Sequence, residues 1–545
     1  MRIFFLIAVI FCLKVQINAQ QTVGLFLNNP KAYNGYTLFG NNEITYLIDN
    51  CGFKVHTWES EYDPGLTSYI LQNGDLLRTA KTSGSFSGGG LGGRMEILDW
   101  ESNVIWAYNY ADNMVHAHHD IEPLPNGNFL VLAWEKHSES NSKDNGRAYD
   151  GEVWSERIVE LQPIGSDQAN IVWEWRLWDH LIQDFNVTKA NFGMVSDHPE
   201  LVDLNYIGEG EDTNGDWVHA NAIAYNEALD QIAISSRNFS EIWIVDHSTT
   251  TSQAASHSGG NAGKGGDILY RYGNPQTYNR GGENDQIFFR QHDIRWIPKG
   301  LPYEGKLMVF NNDDAWKGSS VEIWSPPLDN EGNYLLEDGQ PFGPNEPDWE
   351  FTDDDFYSEI MSGAEMMPNG NILICEGETG RSFELTLDKE KVWEYVNPVN
   401  RNGGPTAQGG SVHFNEIFRM SRYSVDYEGF EGKGLMPTTP VEINPWDLDC
   451  EIFEMPLHSE ELSAEDKIQV LGNPILDILR LQSDVPNEVF EGRVFDVLGR
   501  IVLEFKIGFG AHFYELNGVD EGIYFLEILG ENERVLLEKL IKKKP

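Results

Sequence analysis

Three histidines recur at one place in a repeated pattern. His119 stands seven residues before Asn126 of the turn PNGN, His219 seven before Asn226, and His292 seven before Lys299 of the turn IPKG. A further copy puts Ser362 seven residues before Asn369. With 14 histidines in 545 residues, chance is a poor explanation for three in one slot. Imidazole titrates near neutral pH and serves as nucleophile and as general acid or base. Arg237 ends the run QIAISSR after the His219 turn, and its planar fork matches the oxygens of sulfate or phosphate. Sulfuryl or phosphoryl transfer needs a nucleophile, an acid for the leaving oxygen and cations for the remaining oxygens. This set supplies all three with no metal and no cofactor. Two other readings fit the spacing. Three histidines can hold zinc, and a structural slot could pair each histidine with an aspartate such as Asp120 or Asp293. His118 and Asn221 are candidates for substrate contacts. His116 and His413 lie close enough in the pattern to be considered with them.

Several chemistries are disfavoured. The chain has no GxxxxGK[ST] phosphate loop, no GxSxG elbow and no Cys-x-Pro-x-Arg segment. The formal charge is −47, from 39 basic and 86 acidic residues, which argues against nucleic acid and anionic lipid as partners. The acidic loop DTNGD (212–216) lacks full EF-hand spacing and reads as a solvated turn.

The elements that must position these residues are strands. A hairpin ending in an aromatic cluster recurs six times, closing near Trp58, Trp106, Trp173, Tyr270, Trp349 and Trp393. Between the hairpins lies a second unit, as in HHDIEPLPNGNFLVL (118–132) and AEMMPNGNILIC (364–375): a strand, a Pro/Asn/Gly turn and another strand. Four strands per repeat predict an all-β, six-bladed β-propeller, with equivalent inner positions facing one central channel. The first hairpin lacks a preceding strand pair and SVHFNEIFRMSRYS (411–424) lacks a following hairpin, so the two ends should share a blade. A β-sandwich, or two smaller β domains, is the alternative.

Residues 1–19 read as a secretory signal peptide, with Arg2 before the apolar run Phe4 to Leu13. The propeller is expected over 20–433, a Pro-rich acidic linker over 434–466, and a small C-terminal β-sandwich over 467–545. No later segment approaches a membrane span, so no stable membrane insertion is expected. Beyond Cys12 of the signal remain Cys51, Cys375 and Cys450, and one Cys51–Cys450 disulfide is open to them.

The segments HHDIEPLPNGN (118–128), DWVHANAI (216–223), SSR (235–237) and QHDIRW (291–296) resemble the bacterial aryl-sulfate sulfotransferases. That resemblance covers about residues 22–430. It implies a six-bladed propeller that moves a sulfuryl group from a phenolic sulfate ester to a phenolic acceptor, without nucleotide sulfate. It implies His292 as the sulfated nucleophile, His219 as acid and base, and Arg237 and His119 as ligands of the sulfuryl oxygens. Two half-reactions through one sulfohistidine imply ping-pong kinetics. A cell-surface propeller binding anionic, sulfated glycans and a propeller hydrolase or lyase are the rival readings. The tail segments GNPILDILRL, FDVLGRIV, GIYFLEI and KLIKKKP resemble the sorting domain of type IX secretion in Bacteroidota, implying that machinery as a partner and a secreted or cell-surface address.

Overall fold

The repeated aromatic that ends each hairpin reaches across to the next sheet. Trp106 Nε1 donates to the Gln168 carbonyl at 2.9 Å, Trp173 Nε1 to Thr249 Oγ1 at 3.1 Å, Trp349 Nε1 to the Leu387 carbonyl at 2.9 Å and Trp393 Nε1 to the Asn50 carbonyl at 2.9 Å. Tyr270 donates its hydroxyl to the Gly343 carbonyl at 2.7 Å, and Trp58 lies edge-on to Trp100 with ring centroids 5.2 Å apart. A large ring with one polar edge suits this seam, because the ring buries apolar area while the edge satisfies a backbone or hydroxyl acceptor.

The structure is a computed structural model that describes residues 21–208, 215–314, 318–446, 449–453, 468–470, 478–483, 490–497, 500–508, 510–516, 519–529 and 534–543. The expected signal peptide lies outside them, as does most of the DTNGD loop. The chain divides after Phe453 into two compact units.

The first unit is a β-propeller. Six antiparallel sheets begin at the strands Pro64–Ile70, Val115–Pro123, Ala220–Asn226, His292–Trp296, Gly363–Met366 and Ser421–Ser424. These strands are tied to one another in sequence. Thr67 Oγ1 donates to the His119 carbonyl at 2.6 Å, the Ile223 amide to Asp120 Oδ2 at 3.1 Å, and Asn221 Nδ2 to the Gln291 carbonyl at 2.8 Å. The Ala364 amide donates to Asp293 Oδ2 at 3.0 Å, the Arg422 amide to Glu365 Oε1 at 2.6 Å, and the Ile70 amide to the Tyr423 hydroxyl at 2.9 Å. The links return to the sheet they started from. Arg419 joins Asp120 at 2.9 Å and Asp293 at 3.2 Å, so the buried carboxylates on this ring are paired with a cation.

The ends share a sheet as the hairpin count predicts: Ser421–Ser424 pairs with Gly35–Gly40, followed by Ile44–Ile48 and Lys54–Glu59. A second clasp was not foreseen. Gly24–Asn28 adds as a fifth strand beside Lys391–Val396. The stretch expected as a linker is fastened to this unit up to Phe453. The Thr438 amide donates to the Lys54 carbonyl at 2.9 Å, and Cys450 is disulfide-bonded to Cys51 across 399 residues.

The second unit packs a sheet of Ile468–Val470, Ile478–Ser483 and Gly510–Glu515 with one of Ile501–Ile507, Phe490–Asp496, Gly522–Leu529 and Arg534–Lys542. Leu479, Leu481, Val494, Ile507, Leu526 and Leu540 form its core, as alternating strands facing each other across a sandwich require. Among the described residues no helix is long and apolar enough to cross a membrane.

Candidate active site

The inner strands break register where the histidines stand. Pairing of Val115–Pro123 with Phe129–His137 shifts between Val131 and Ala133, opposite His118 to Asp120. The same happens between Ala220 and Ala222, just after His219, and between His292 and Arg295. A β-bulge re-aims a side chain that regular pleating would place elsewhere. His119 and His219 sit at φ of 51° and 53°, left-handed backbone that costs energy for a side-chain-bearing residue. The bulges bring His119, His219, His292 and Arg237 to the wall of one cavity of about 450 Å³.

Each of the three histidines is held by Nδ1 and leaves Nε2 to the cavity. His292 Nδ1 lies 2.8 Å from Asn312 Oδ1 and 3.0 Å from the Arg290 carbonyl. Both partners only accept, so Nδ1 carries the proton and Nε2 presents its lone pair. Asn312 cannot turn over, because its amide nitrogen donates to the Ser358 and Met361 carbonyls at 2.9 and 3.0 Å. Burial, then the Arg237 charge, pull His292 down to about 3, so the ring is neutral and nucleophilic across the physiological range.

His219 Nδ1 donates to Asp216 Oδ2 at 2.5 Å. The carboxylate fixes the tautomer and stabilises a positive ring, as it does for a general base that takes up a proton. Asp216 is held from behind, its backbone carbonyl accepting from Asn238 Nδ2 at 2.9 Å.

His119 ends a buried chain. Its Nδ1 lies 2.8 Å from His118 Nδ1, and His118 Nε2 lies 3.0 Å from Glu156 Oε2. Burial pushes Glu156 well above the ordinary carboxyl range, and burial with neighbouring positive charge holds His118 and His119 well below the ordinary imidazole range. Glu156 is therefore protonated and both rings are neutral. The carboxyl donates to His118 Nε2, His118 Nδ1–H donates to His119 Nδ1, and His119 offers Nε2–H to the cavity. His118, stacked on Trp134 with centroids 4.0 Å apart, stands behind His119 rather than in the wall.

The rest of the wall is part apolar and part basic. Leu66, Leu91, Ile360, Met361 and Phe418 give an apolar side, while Lys81 and Arg401 join Arg237 against one carboxylate, Glu416. The strongly acidic chain thus keeps its cavity locally basic. Gly89 and Gly90 come from the run 88–93. A Cβ on Gly90, whose φ is 76°, would stand 2.1 Å from the His119 ring, so only glycine lets this loop close over the histidines.

Not every candidate reaches the cavity. Asn221 is fully buried and bonds the Gln291 carbonyl, holding the strand that carries His292 rather than facing the wall. His116 is buried behind Gly84 and Gly93, and His413 is exposed outside the wall. Sequence reasoning missed Glu156, Asn312 and the glycine-rich loop. Only the loop carries a local signal, five glycines in the six residues 88–93.

No curated protein matches the chain. Solved structures that resemble it are distant. A protein of unknown function from Bacteroides caccae matches at 10% identity and TM-score 0.39, over 71% of this chain and 98% of its own. Virginiamycin B lyase from Staphylococcus aureus matches at 8% and 0.32, over 70% and 90%. The β-propeller domain of Cps50 (Swd1) from Myceliophteria thermophila matches at 8% and 0.37, over 75% and 98%. Two family models do match. The secretion system C-terminal sorting domain covers residues 469–543, and the arylsulfotransferase (ASST) model covers 24–401, a span holding every cavity histidine, so the chain belongs to the arylsulfotransferase family.

Proposed function

We propose that this protein is a secreted aryl-sulfate sulfotransferase working through a sulfohistidine, with type IX secretion delivering it outside the cell. The observation that supports this best is the set of three Nδ1-anchored histidines around one basic, partly apolar cavity. In the first half-reaction His292 Nε2 attacks the donor sulfur. The N–S bond forms as the S–O(aryl) bond breaks, and the phenolate takes the Nε2 proton of a doubly protonated His219, which returns to the neutral ring with Nδ1–H still on Asp216. Arg237 and His119 Nε2–H bear on the sulfuryl oxygens, where they stabilise the charge that builds in the transition state. In the second half-reaction the acceptor phenol gives its proton to His219 and its oxygen takes the sulfuryl group, restoring His292. Neither half needs a metal or a nucleotide.

The test is release of 4-nitrophenol from 4-nitrophenyl sulfate, with and without phenol. Release that rises with phenol, with phenyl sulfate as product, supports transfer. Release indifferent to phenol would mean hydrolysis, and no release would leave an anion-binding propeller. His292→Asn is expected to abolish turnover and the bound 35S label. An active variant would remove His292 as nucleophile.

A further inference from the structure

On the outer side of the first unit, away from the catalytic cavity, three ligand-type side chains converge on one point. Asp267 Oδ1 lies 2.8 Å from His180 Nδ1 and 2.7 Å from His257 Nδ1. Nothing in the proposed sulfuryl transfer uses these residues.

The hydrogen bonding behind them is informative. His180 Nε2 lies 2.8 Å from the Ala254 carbonyl. A carbonyl only accepts, so Nε2 carries a hydrogen and the ring is fixed with Nδ1 facing the carboxylate oxygen. His180 is fully buried and Asp267 almost so, which holds this pair in place. A cation that takes the place of the hydrogen between them is coordinated by both, with the Ala254 carbonyl as the outer partner that fixes a metal-bound imidazole.

We infer that His180 Nδ1, His257 Nδ1 and Asp267 Oδ1 form a zinc site. Two imidazole nitrogens with one carboxylate are a ligand set for zinc, not for magnesium or calcium. The three atoms lie within 4.8 Å of one another. Tetrahedral zinc with bonds of about 2.0–2.1 Å spaces its ligands roughly 3.3 Å apart, so the two contacts to Asp267 must lengthen by about half an ångström. His257 allows this. Its side chain is 62% exposed and it lies in the segment SHSGGNAGKGG, 256–266. The buried pair is the fixed half of the site and His257 the closing half, with water as fourth ligand on the open side. Zinc there would pin this segment to the strand Leu181–Ile182 that follows His180.

The experiment uses the purified protein, stripped with chelator, given one equivalent of zinc chloride and passed through gel filtration before elemental analysis. About one zinc per chain is expected, retained in His219→Asn and lost in His257→Ala and Asp267→Asn with at least a tenfold fall in affinity. Zinc should raise the melting temperature of the wild type and leave that of His257→Ala unmoved; His257 is exposed, so this variant keeps the fold. A wild type that holds no zinc overturns the site. Zinc that survives His257→Ala and disappears in His219→Asn also overturns it and moves the metal to the catalytic cavity.

Discussion

The chain from Glu156 through His118 to His119 makes a sharp prediction, because its polarity decides whether His119 can donate to a sulfuryl oxygen. Glu156 Oε1 accepts from the Ala220 amide at 2.8 Å and Oε2 faces His118 Nε2. In Glu156→Gln the Ala220 amide holds the side-chain oxygen, so the new NH2 must point at His118 and donate. That reproduces the polarity of the protonated acid. Turnover of 4-nitrophenyl sulfate should stay within about threefold of wild type, since the donor to the sulfuryl oxygen is kept. Glu156→Leu removes the donor and leaves the Ala220 amide and His118 Nε2 unpaired. Each such buried group costs about 1–3 kcal/mol, so activity should fall roughly 5- to 150-fold if one such cost reaches the transition state. The pH profile adds a second readout. Wild type should lose activity at high pH as Glu156 ionises and the chain reverses, and Glu156→Gln should not show that limb. A folded Glu156→Gln protein that loses more than a hundredfold in kcat/KM would show that Glu156 works as a carboxylate, and the donor role of His119 would fall.

Other outcomes follow from the same geometry. Lys81→Gln should raise KM for the sulfate donor about two- to fivefold and weaken its salt dependence with kcat little changed, because the residue adds positive field at the cavity rather than touching the reacting atoms; an unchanged KM at low salt would count against it. Reducing the Cys51–Cys450 bond frees a span of 399 residues in the unfolded chain and should lower stability by about 2–5 kcal/mol, read as a melting temperature several degrees lower in a reduced sample. His118, His119 and His292 stay neutral in the fold and titrate near 6.5 when unfolded. Below about pH 6.5 the unfolded chain therefore binds more protons, and stability falls with falling pH by up to about 1.4 kcal/mol per unit for each ring. Glu156 works in the opposite sense, its contribution being present below about 4.5 and lost as pH rises. The urea midpoint should drop between pH 7 and 5.5, with a slope shallower by about one proton in His292→Asn; equal slopes would contradict the buried neutral ring.

Much of the architecture is written in local sequence. The Pro/Asn/Gly turns and the recurring aromatics are short-range signals, and they carried the repeated hairpins, the shared sheet of the two ends and the common slot of His119, His219 and His292. The sequence also carried the separate C-terminal sandwich and the basic partner Arg237, since each is a pattern within one segment. What the tertiary structure decided depends on pairs far apart in the chain. Asn312 sets the tautomer of His292 from 20 residues away, and Glu156 governs His119 from the far side of His118. Asn221, two residues from His219, proved to hold a neighbouring strand, because the bulge at Ala220 and Ala222 turns it away from the channel. Gly24–Asn28 and Cys450 close onto partners hundreds of residues distant, where loop closure leaves no local mark. Residue type and spacing determined which groups could react; bulges, burial and long-range hydrogen bonds decided which nitrogen faces the cavity and in which protonation state, because proton position follows from the partner behind each ring and not from the ring's place in the sequence.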